Sequence, residues 1–218
     1  AVREASGISE GDKLLTFSKI RAASQIMANL PYVKGVRIGI KLPDTVNIMI
    51  EEESVVYAIK SSDGQWWMMD SDGRVVEQAN NAKAATATRV LGVTLEAPTV
   101  NEKGVATEMT PSETNELGEL IPVSTTGAQR LTAALQILKA LENNDIVGKA
   151  ASVDVTSTED IILWYGTRYQ VNLGDTSRLD YKVDCMNDAI LQMSDYQSGV
   201  LDISFTIWPN QVGYTPFA

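Results

Sequence analysis

The chain has 218 residues, and 28 Asp and Glu against 18 Lys and Arg give it a formal net charge of −10. That sign is wrong for a surface that follows phosphates, so nucleic acid and anionic lipid are poor candidate ligands. Histidine is absent, which removes Ser-His and Cys-His catalysis and most zinc sites. The sequence has no run of about 18 apolar residues, which a transmembrane helix would need. Its single cysteine, Cys185, cannot form an internal disulfide.

The first thirty residues predict two helices. AVREASGI is typical of a short helix that ends at Gly7, because glycine readily adopts the left-handed conformation that ends helices. Residues 16–30 predict a second helix, with Thr16 or Ser18 as its N-terminal cap and Pro31 after its end. The apolar residues at helical spacing form its expected buried face: Ile20, Ala23, Met27 and Leu30.

A hairpin follows these helices. VRIGIKLP and TVNIMIEE alternate apolar and polar residues and are joined through Pro43 and Asp44. The expected pairing places Val36, Ile38 and Ile40 opposite Val46, Ile48 and Ile50. Residues 1–53 are therefore predicted to form a small helix-plus-hairpin domain.

The chain then becomes rich in strands, and we assign residues 54–218 to a second domain. VVYAIKS, QWWMMD and RVVEQA are separated by two Ser-Asp-Gly turns, which predicts a β-meander. DSDG also resembles the start of a calcium loop, but the later ligands are missing and Arg74 follows directly, so a turn is preferred. Trp66 and Trp67 should point to opposite faces of their strand.

Strands and helices alternate in the remainder. TRVLGVTLEAP predicts a strand, and the acidic stretch from Thr99 to Thr126 is either a mobile loop or part of an interface. Helical spacing of leucines predicts a helix from Gly127 to Asn143, and LDYKVDCMNDAILQM predicts another. Between them, VDVTSTEDIILWYG and RYQVNLG predict a pair of strands. The predicted fold class is α+β, with a mostly antiparallel sheet and two helices packed on it, and no cofactor or metal site is predicted.

The last predicted strand is LDISFTI, in which Leu201, Ile203, Phe205 and Ile207 alternate with polar residues. Because no further strand follows, we expect it at an open sheet edge. Such an edge can bind a partner strand, with about 1 kcal/mol of net free energy for each main-chain hydrogen bond. Alternation favours Phe205 inside the core, and contact with a partner is the alternative.

In chain order, these segments resemble a known family. GISEGDKLLTFSKIRAASQIMANLPYVKGVRIGIKLPDTVNIMIEEE is similar to the POTRA domain of the bacterial cell-division proteins FtsQ and DivIB. The tryptophan hairpin with DSDGRV, the next helix, YQVNLG, LDYK and GVLDISF occur in the order of that family's second domain, the β domain. The resemblance spans nearly the whole chain.

The resemblance implies a non-enzymatic scaffold of the division machinery that helps control septal peptidoglycan synthesis. It also implies a location on the outer face of the bacterial cell membrane at the septum. The partners that it implies are proteins similar to FtsB (DivIC) and FtsL. In the family, the β domain binds FtsB or DivIC by pairing with its last strand. Carried onto this sequence, the partner-binding residues are Asp202, Ile203, Ser204, Phe205, Thr206, Ile207, Gly213 and Tyr214. Lys182, Leu173 and Gly174 also match motif positions and are interpreted as fold determinants.

The family pattern also predicts a first POTRA strand and a single transmembrane anchor upstream of Ala1. Two other classes stay open at this point. A POTRA-bearing secretion or assembly protein would usually carry repeated POTRA units or a barrel, which this sequence does not show. An acidic cell-wall hydrolase would use a carboxylate pair such as Glu159 with Asp160 or Asp180 with Asp184, although solvated surface charge is the simpler interpretation.

Overall fold

The computed structural model describes residues 1–14, 16–52, 56–108, 125–206 and 210–217. The chain forms two compact units, Ala1–Val55 and Val56–Ala218. Both combine helices with β-structure, so the predicted α+β class is confirmed. Across these ranges, no helix has both the length and the apolar character that crossing a bilayer requires.

The first unit consists of two helices and a hairpin. Its elements are α1 (Val2–Ser6), α2 (Lys19–Asn29), β1 (Val33–Lys41) and β2 (Thr45–Glu52). Gly7 ends α1 in the left-handed conformation, with φ of 65°, and Ser18 caps α2 by accepting the N–H of Arg21 at 3.2 Å. Both helix ends follow the sequence prediction.

The buried face of α2 differs from the predicted one. Ala22 and Ile26 are buried, whereas Ile20 is 81% exposed and Met27 is 37% exposed. The helix carries two apolar stripes about 100° apart, and the stripe with the small Ala22 is the one that lies against the rest of the unit. The predicted face was therefore wrong by one position.

The hairpin has the predicted register. Val36 pairs with Ile50, Ile38 with Ile48 and Ile40 with Val46, all in antiparallel fashion. These six side chains are half-buried. They share one face of the hairpin because residues directly opposite in an antiparallel pair project to the same side.

The described residues of the second unit form one nine-stranded sheet in the order β11-β10-β9-β8-β7-β6-β3-β4-β5. Most neighbouring pairs are antiparallel; β6 runs parallel to β3 and β7, and β10 runs parallel to β9. The strands are β3 (Tyr57–Ser61), β4 (Trp66–Met69), β5 (Val75–Ala79), β6 (Thr88–Leu95), β7 (Ala150–Asp154), β8 (Ile161–Tyr165), β9 (Tyr169–Gly174), β10 (Gly199–Asp202) and β11 (Gly213–Pro216). The predicted β-meander corresponds to β3, β4 and β5.

Helices α4 (Gly127–Asn143) and α5 (Leu179–Leu191) contact each other and the sheet, and a short α3 (Asn81–Ala84) follows β5. A continuous row of paired side chains crosses the centre of the sheet and is fully buried: Ile59, Val90, Val153, Leu163, Val171 and Leu201. Leu138 and Leu141 of α4 and Val183 and Met186 of α5 are fully buried as well. This core holds β10 in place through Leu201, and β11 pairs with β10.

The DSDG segment forms the turn between β4 and β5. The carboxylate of Asp70 is 3% exposed and accepts the backbone N–H groups of Asp72 and Arg74 at 3.1 and 2.8 Å. It also accepts Nε of Arg74 at 3.1 Å. Its oxygens therefore hold the turn together, as the preferred interpretation of the sequence predicts.

The strand predicted at LDISFTI is wrong in extent and in position. It ends at Asp202, and Phe205 has φ of 58°, a left-handed conformation that a strand does not accommodate. It is also not the sheet edge, because β11 pairs with it on one side and β9 on the other. Ile203 remains buried in the core, and Ile207 lies outside the described residues.

Candidate partner-binding edge

The outer edge of the large sheet is β11, which has β10 as its one neighbour in the strand order. At the opposite end, β5 is partly covered by a later segment. The N–H of Val75 donates to the carbonyl of Glu102, and the N–H of Asn101 donates to the carbonyl of Val75, each at 2.8 Å. Among the described residues of the second unit, β11 is therefore the sheet edge that is best placed to accept another strand.

Hydrogen-bond alternation shows which backbone groups of β11 point outward. The N–H of Phe217 donates to the carbonyl of Ser198 at 3.1 Å, in the same register that pairs Gly199 with Pro216. Because an antiparallel ladder alternates, Gly213 and Thr215 direct their polar groups to β10, while Tyr214 and Pro216 direct theirs away. Proline has no N–H, so the outward groups are the N–H of Tyr214 and the carbonyls of both residues.

The side chain of Tyr214 holds β11 to its own sheet. Its hydroxyl donates to the carbonyl of Ser198 at 3.1 Å. Its ring lies so close to Gly199 that a Cβ on that glycine would be 2.8 Å from Cε2 of the ring and 2.2 Å from the carbonyl oxygen of Thr215. The residue is half-buried, so it contributes to an edge chiefly through its backbone.

The predicted edge residues after β10 form a turn. Oδ1 of Asp202 accepts the N–H of Ser204 at 2.9 Å and its hydroxyl at 2.7 Å. The hydroxyl oxygen of Ser204 in turn accepts the N–H of Thr206 at 3.3 Å. These local bonds use the polar groups that an edge strand would offer to a partner.

A cluster of two aromatic rings and a guanidinium lies beside this turn. The guanidinium carbon of Arg178 is 4.5 Å from the ring centroid of Tyr181 and 5.6 Å from that of Phe205, and the two rings are 5.6 Å apart. Nη2 of Arg178 donates to Oδ1 of Asn210 at 3.0 Å, which ties the cluster to the segment that leads into β11. We call these three residues the Arg178 cluster.

The Arg178 cluster has the composition of an interface anchor, because arginine and large aromatic side chains dominate binding energy in protein interfaces. Tyr181 is 42% exposed, and a hydrogen bond with Cys185 raises the pKa of its phenol above the usual value. Phe205 is half-buried and does not join the fully buried Leu201 and Ile203. Its ring therefore belongs to this surface cluster.

The buried side chain of Lys182 ties the first turn of α5 to the end of β9 and the residues after it. Its ammonium is 1% exposed and donates to the carbonyls of Leu173 and Asp175 at 2.8 and 2.9 Å and to Oδ1 of Asp175 at 2.8 Å. The hydrogen bond from Lys182, with a second from Ser177, lowers the pKa of Asp175 to about 2. These contacts agree with the interpretation of Lys182 as a fold determinant.

The structure therefore brings together only part of the predicted site. It places Gly213 and Tyr214 on the edge strand β11, Asp202 at the end of β10, and Ile203 in the core. Ser204, Phe205 and Thr206 lie in the turn that follows β10. Sequence reasoning missed Arg178 and Tyr181. The sequence did contain a signal for this pair. The two residues are three positions apart at the start of a predicted helix, and residues at that spacing are neighbours on a helix surface.

The carboxylate pairs that an enzyme would require lie on exposed surface. Glu159 and Asp160 are exposed in the β7–β8 turn, where their N–H groups donate to the hydroxyl oxygen of Ser157. Asp180 and Asp184 are exposed on α5. Both pairs therefore have the solvated character that the simpler interpretation predicts.

Comparison with known proteins identifies relatives along most of the chain. Residues 1–53 match the family model of the FtsQ-type POTRA domain. The chain is 24% identical over 208 residues to the cell division protein DivIB of Clostridium tetani, which covers 94% of this chain and 70% of that protein. It is 29% identical over 92 residues to DivIB of Clostridium acetobutylicum, covering 42% of this chain and 36% of that protein. A 75-residue match to the cell division protein FtsQ of Corynebacterium glutamicum has 35% identity and covers 34% of this chain and 33% of that protein.

These matches agree with the order of motifs in the sequence and with the α+β architecture of both units. The first relative aligns with nearly the whole chain, whereas the second and third each match over about a third of their own length. Residues 1–53 are therefore similar to an FtsQ-type POTRA domain, and most of the chain is similar to the DivIB and FtsQ cell-division proteins.

Proposed function

We propose that this chain is a non-enzymatic scaffold of the division machinery that binds an FtsB/DivIC-like partner by strand addition at the outer edge of β11. The observation that carries the proposal is that β11 has a neighbouring strand on one side only, in a chain that is similar to cell division proteins. The partner strand lies beside Gly213–Pro216, rather than beside the segment from Asp202 to Ile207 that the sequence pattern favoured.

The wider role follows from the relatives. Their names describe cell division proteins, and the exposed carboxylate pairs offer no support for a hydrolase. In this proposal the chain works on the outer face of the cell membrane at the septum, assembles with FtsB/DivIC-like and FtsL-like proteins, and helps regulate septal peptidoglycan synthesis.

Backbone pairing alone gives a modest affinity. The outward groups of β11 are the N–H of Tyr214 and the carbonyls of Tyr214 and Pro216, and each hydrogen bond contributes on the order of 1 kcal/mol net. Side-chain contacts must therefore add to it. Burying Phe205 against the partner would contribute about 2 kcal/mol more, and the ring is accessible enough to do so.

Charge favours an acidic residue in the partner. The guanidinium of Arg178 bonds to the neutral Asn210 and lies over two rings, and it forms no ion pair with a carboxylate among the described residues. A groove of about 680 Å³ extends from Arg178 and Tyr181 to Lys139 along α4 and α5. A partner strand on β11 can thus continue into a segment that places a carboxylate at Arg178.

The test compares two substitutions at one position. Tyr214→Ala removes the ring and keeps the outward N–H, whereas Tyr214→Pro removes both. With the outer-face domain of the FtsB/DivIC-like protein from the same organism, we expect the proline variant to bind about fivefold more weakly than the alanine variant, which corresponds to one lost backbone hydrogen bond. Isothermal titration calorimetry measures both affinities.

Two controls protect this comparison. Urea unfolding shows whether the two variants are equally stable, and Lys149→Ala changes an exposed side chain that lies outside the edge and the Arg178 cluster. Phe205→Ala should weaken binding about thirtyfold, which corresponds to about 2 kcal/mol, with little change in stability. Equal affinities of the proline and alanine variants, at equal stability, would show that β11 does not capture a strand.

A further inference from the structure

A second polar site lies at the other side of the large sheet. A cavity of about 480 Å³ opens where β3, β4 and β6 meet the start of α4. Among the described residues that line it are three with cationic side chains, Lys60, Arg89 and Arg130, and one with a carboxylate, Glu108. In a chain of net charge −10, such a concentration of positive charge stands out from the surrounding surface.

A bulge in β6 creates the cavity. Ile59 of β3 pairs with Val90, but the next residue, Lys60, pairs with Thr94, so residues 91–93 have no partner on β3, while Leu91 keeps its pairing with Asp154 of β7. Gly92 makes the bulge possible, with φ of 83° and no room for a side chain, because a Cβ there would be 2.2 Å from the backbone nitrogen of Thr156.

The bulge also fixes Arg130. The carbonyl oxygen of Gly92 accepts Nη1 of Arg130 at 3.1 Å, and Nε of Arg130 donates to the hydroxyl of Thr125 at 3.2 Å. Arg130 is only 5% exposed, so it contributes a buried and oriented positive charge to the wall of the cavity. A charge in such surroundings is screened less by solvent than one on the open surface.

The other two cations are exposed and have no carboxylate partner among the described residues. Nζ of Lys60 lies 5.1 Å from the ring centroid of Trp66, and Arg89 projects from the same face of the sheet, beside Ala58. Glu108 accepts the N–H of Gly127, at the first turn of α4, at 3.3 Å. The cavity therefore presents Lys60 and Arg89 to a ligand next to an aromatic wall.

We propose that this cavity binds an acidic peptide segment of a partner protein, with its carboxylates on Lys60 and Arg89 and an apolar side chain against Trp66 and Leu91. Leu91 is 37% exposed at the rim. A short peptide fits the charges better than an extended polyanion, because the chain as a whole, at net −10, repels nucleic acid and anionic membranes at longer range.

The site is separate from the proposed partner edge. Five strand steps separate β6 from β11, which is about 24 Å at the usual strand spacing. Binding in the cavity and strand capture at β11 can therefore succeed or fail independently, and this proposal does not depend on the proposed function.

The probe is an end-blocked hexapeptide of alternating glutamate and leucine, with the glutamine version as its uncharged control. Nuclear magnetic resonance on the full chain should show shifts at Lys60, Trp66 and Arg89 with the glutamate peptide, and none at Tyr214. We expect Lys60→Gln with Arg89→Gln to weaken binding about tenfold, because two ion pairs are lost and each, on an exposed side chain, contributes modestly. Lys149→Gln removes an exposed charge away from the cavity and should leave the affinity unchanged.

Several results would overturn the proposal. They are equal binding of the glutamine peptide, no effect of the double substitution, or no binding of the glutamate peptide at millimolar concentration. If inorganic phosphate displaces the peptide at equal concentration, the cavity is a site for small anions and not for peptides. If the chain binds phosphatidylglycerol vesicles and this binding depends on Lys60 and Arg89, the cavity belongs to a lipid-binding surface and not to a peptide site.

Discussion

Replacing Lys182 by methionine tests whether its buried ammonium stabilises the start of α5. The change keeps the length of the side chain and removes three hydrogen bonds from an ammonium that is 1% exposed. The carbonyl of the fully buried Leu173 loses a charge-assisted bond, which is worth about 1.5–3 kcal/mol. Asp175 adds little, because its side chain is 58% exposed and can be rehydrated. We expect a loss of about 2–3 kcal/mol in the free energy of unfolding.

Urea unfolding followed by tryptophan fluorescence measures this loss in the second unit alone, because all four tryptophans belong to it: Trp66, Trp67, Trp164 and Trp208. Lys149→Met is the matched control, since Lys149 is exposed. A loss below about 1 kcal/mol with an unchanged urea dependence would refute the argument that this buried ammonium stabilises the start of α5.

The same variant gives a prediction for pH. The pKa of Asp175 is about 2 in the folded chain against an ordinary value of 3.8. A lowered folded-state pKa stabilises the fold above the unfolded value, and this contribution is lost as the pH falls from about 4 to about 2. The stability difference between wild type and Lys182→Met should therefore shrink over that interval. If the stability difference stays constant over this interval, the pKa of Asp175 does not depend on Lys182.

Two further predictions concern packing in each unit. Gly199→Ala should detach β11, because its Cβ would be 2.2 Å from the carbonyl oxygen of Thr215, whereas Gly148→Ala meets no atom within 4 Å. Amide exchange at Gly213, Thr215 and Phe217, whose N–H groups point to β10, should rise in the first variant only, and equal protection in both would contradict the close approach. In the first unit, Ile26→Ala should cost about 2–5 kcal/mol and Ile20→Ala less than about 0.5, because their side chains are 0% and 81% exposed. Amide exchange in the hairpin measures both, and similar losses would contradict the observed face of α2.

Alternation predicted the structure well where neighbouring strands supplied the same signal. In the first hairpin, three aliphatic residues on each strand could pair in only one register without exposing them, and that register is observed. The face of α2 was harder to predict, because two apolar stripes compete on one helix and tertiary contacts choose between them. Ile26 on one stripe is buried and Ile20 on the other is exposed.

The candidate site was predicted only in part, for a physical reason. Period-2 alternation continues through Phe205, yet the local bonds of Asp202 with Ser204 turn the backbone out of the strand before it. The four residues of β11 are too few to show a period, and their role as the edge depends on the order of strands in space. The cavity at Lys60 depends on a three-residue bulge, for which Gly92 is the one local signal.

The proline in β11 also affects what happens when copies of the chain meet. An uncovered sheet edge is a template on which identical chains can stack. Here the strand has four residues, and its second outward position is Pro216, which has no N–H to donate. Two such edges would form few mutual hydrogen bonds, so the chain can keep an accessible edge at high local concentration without polymerising through it.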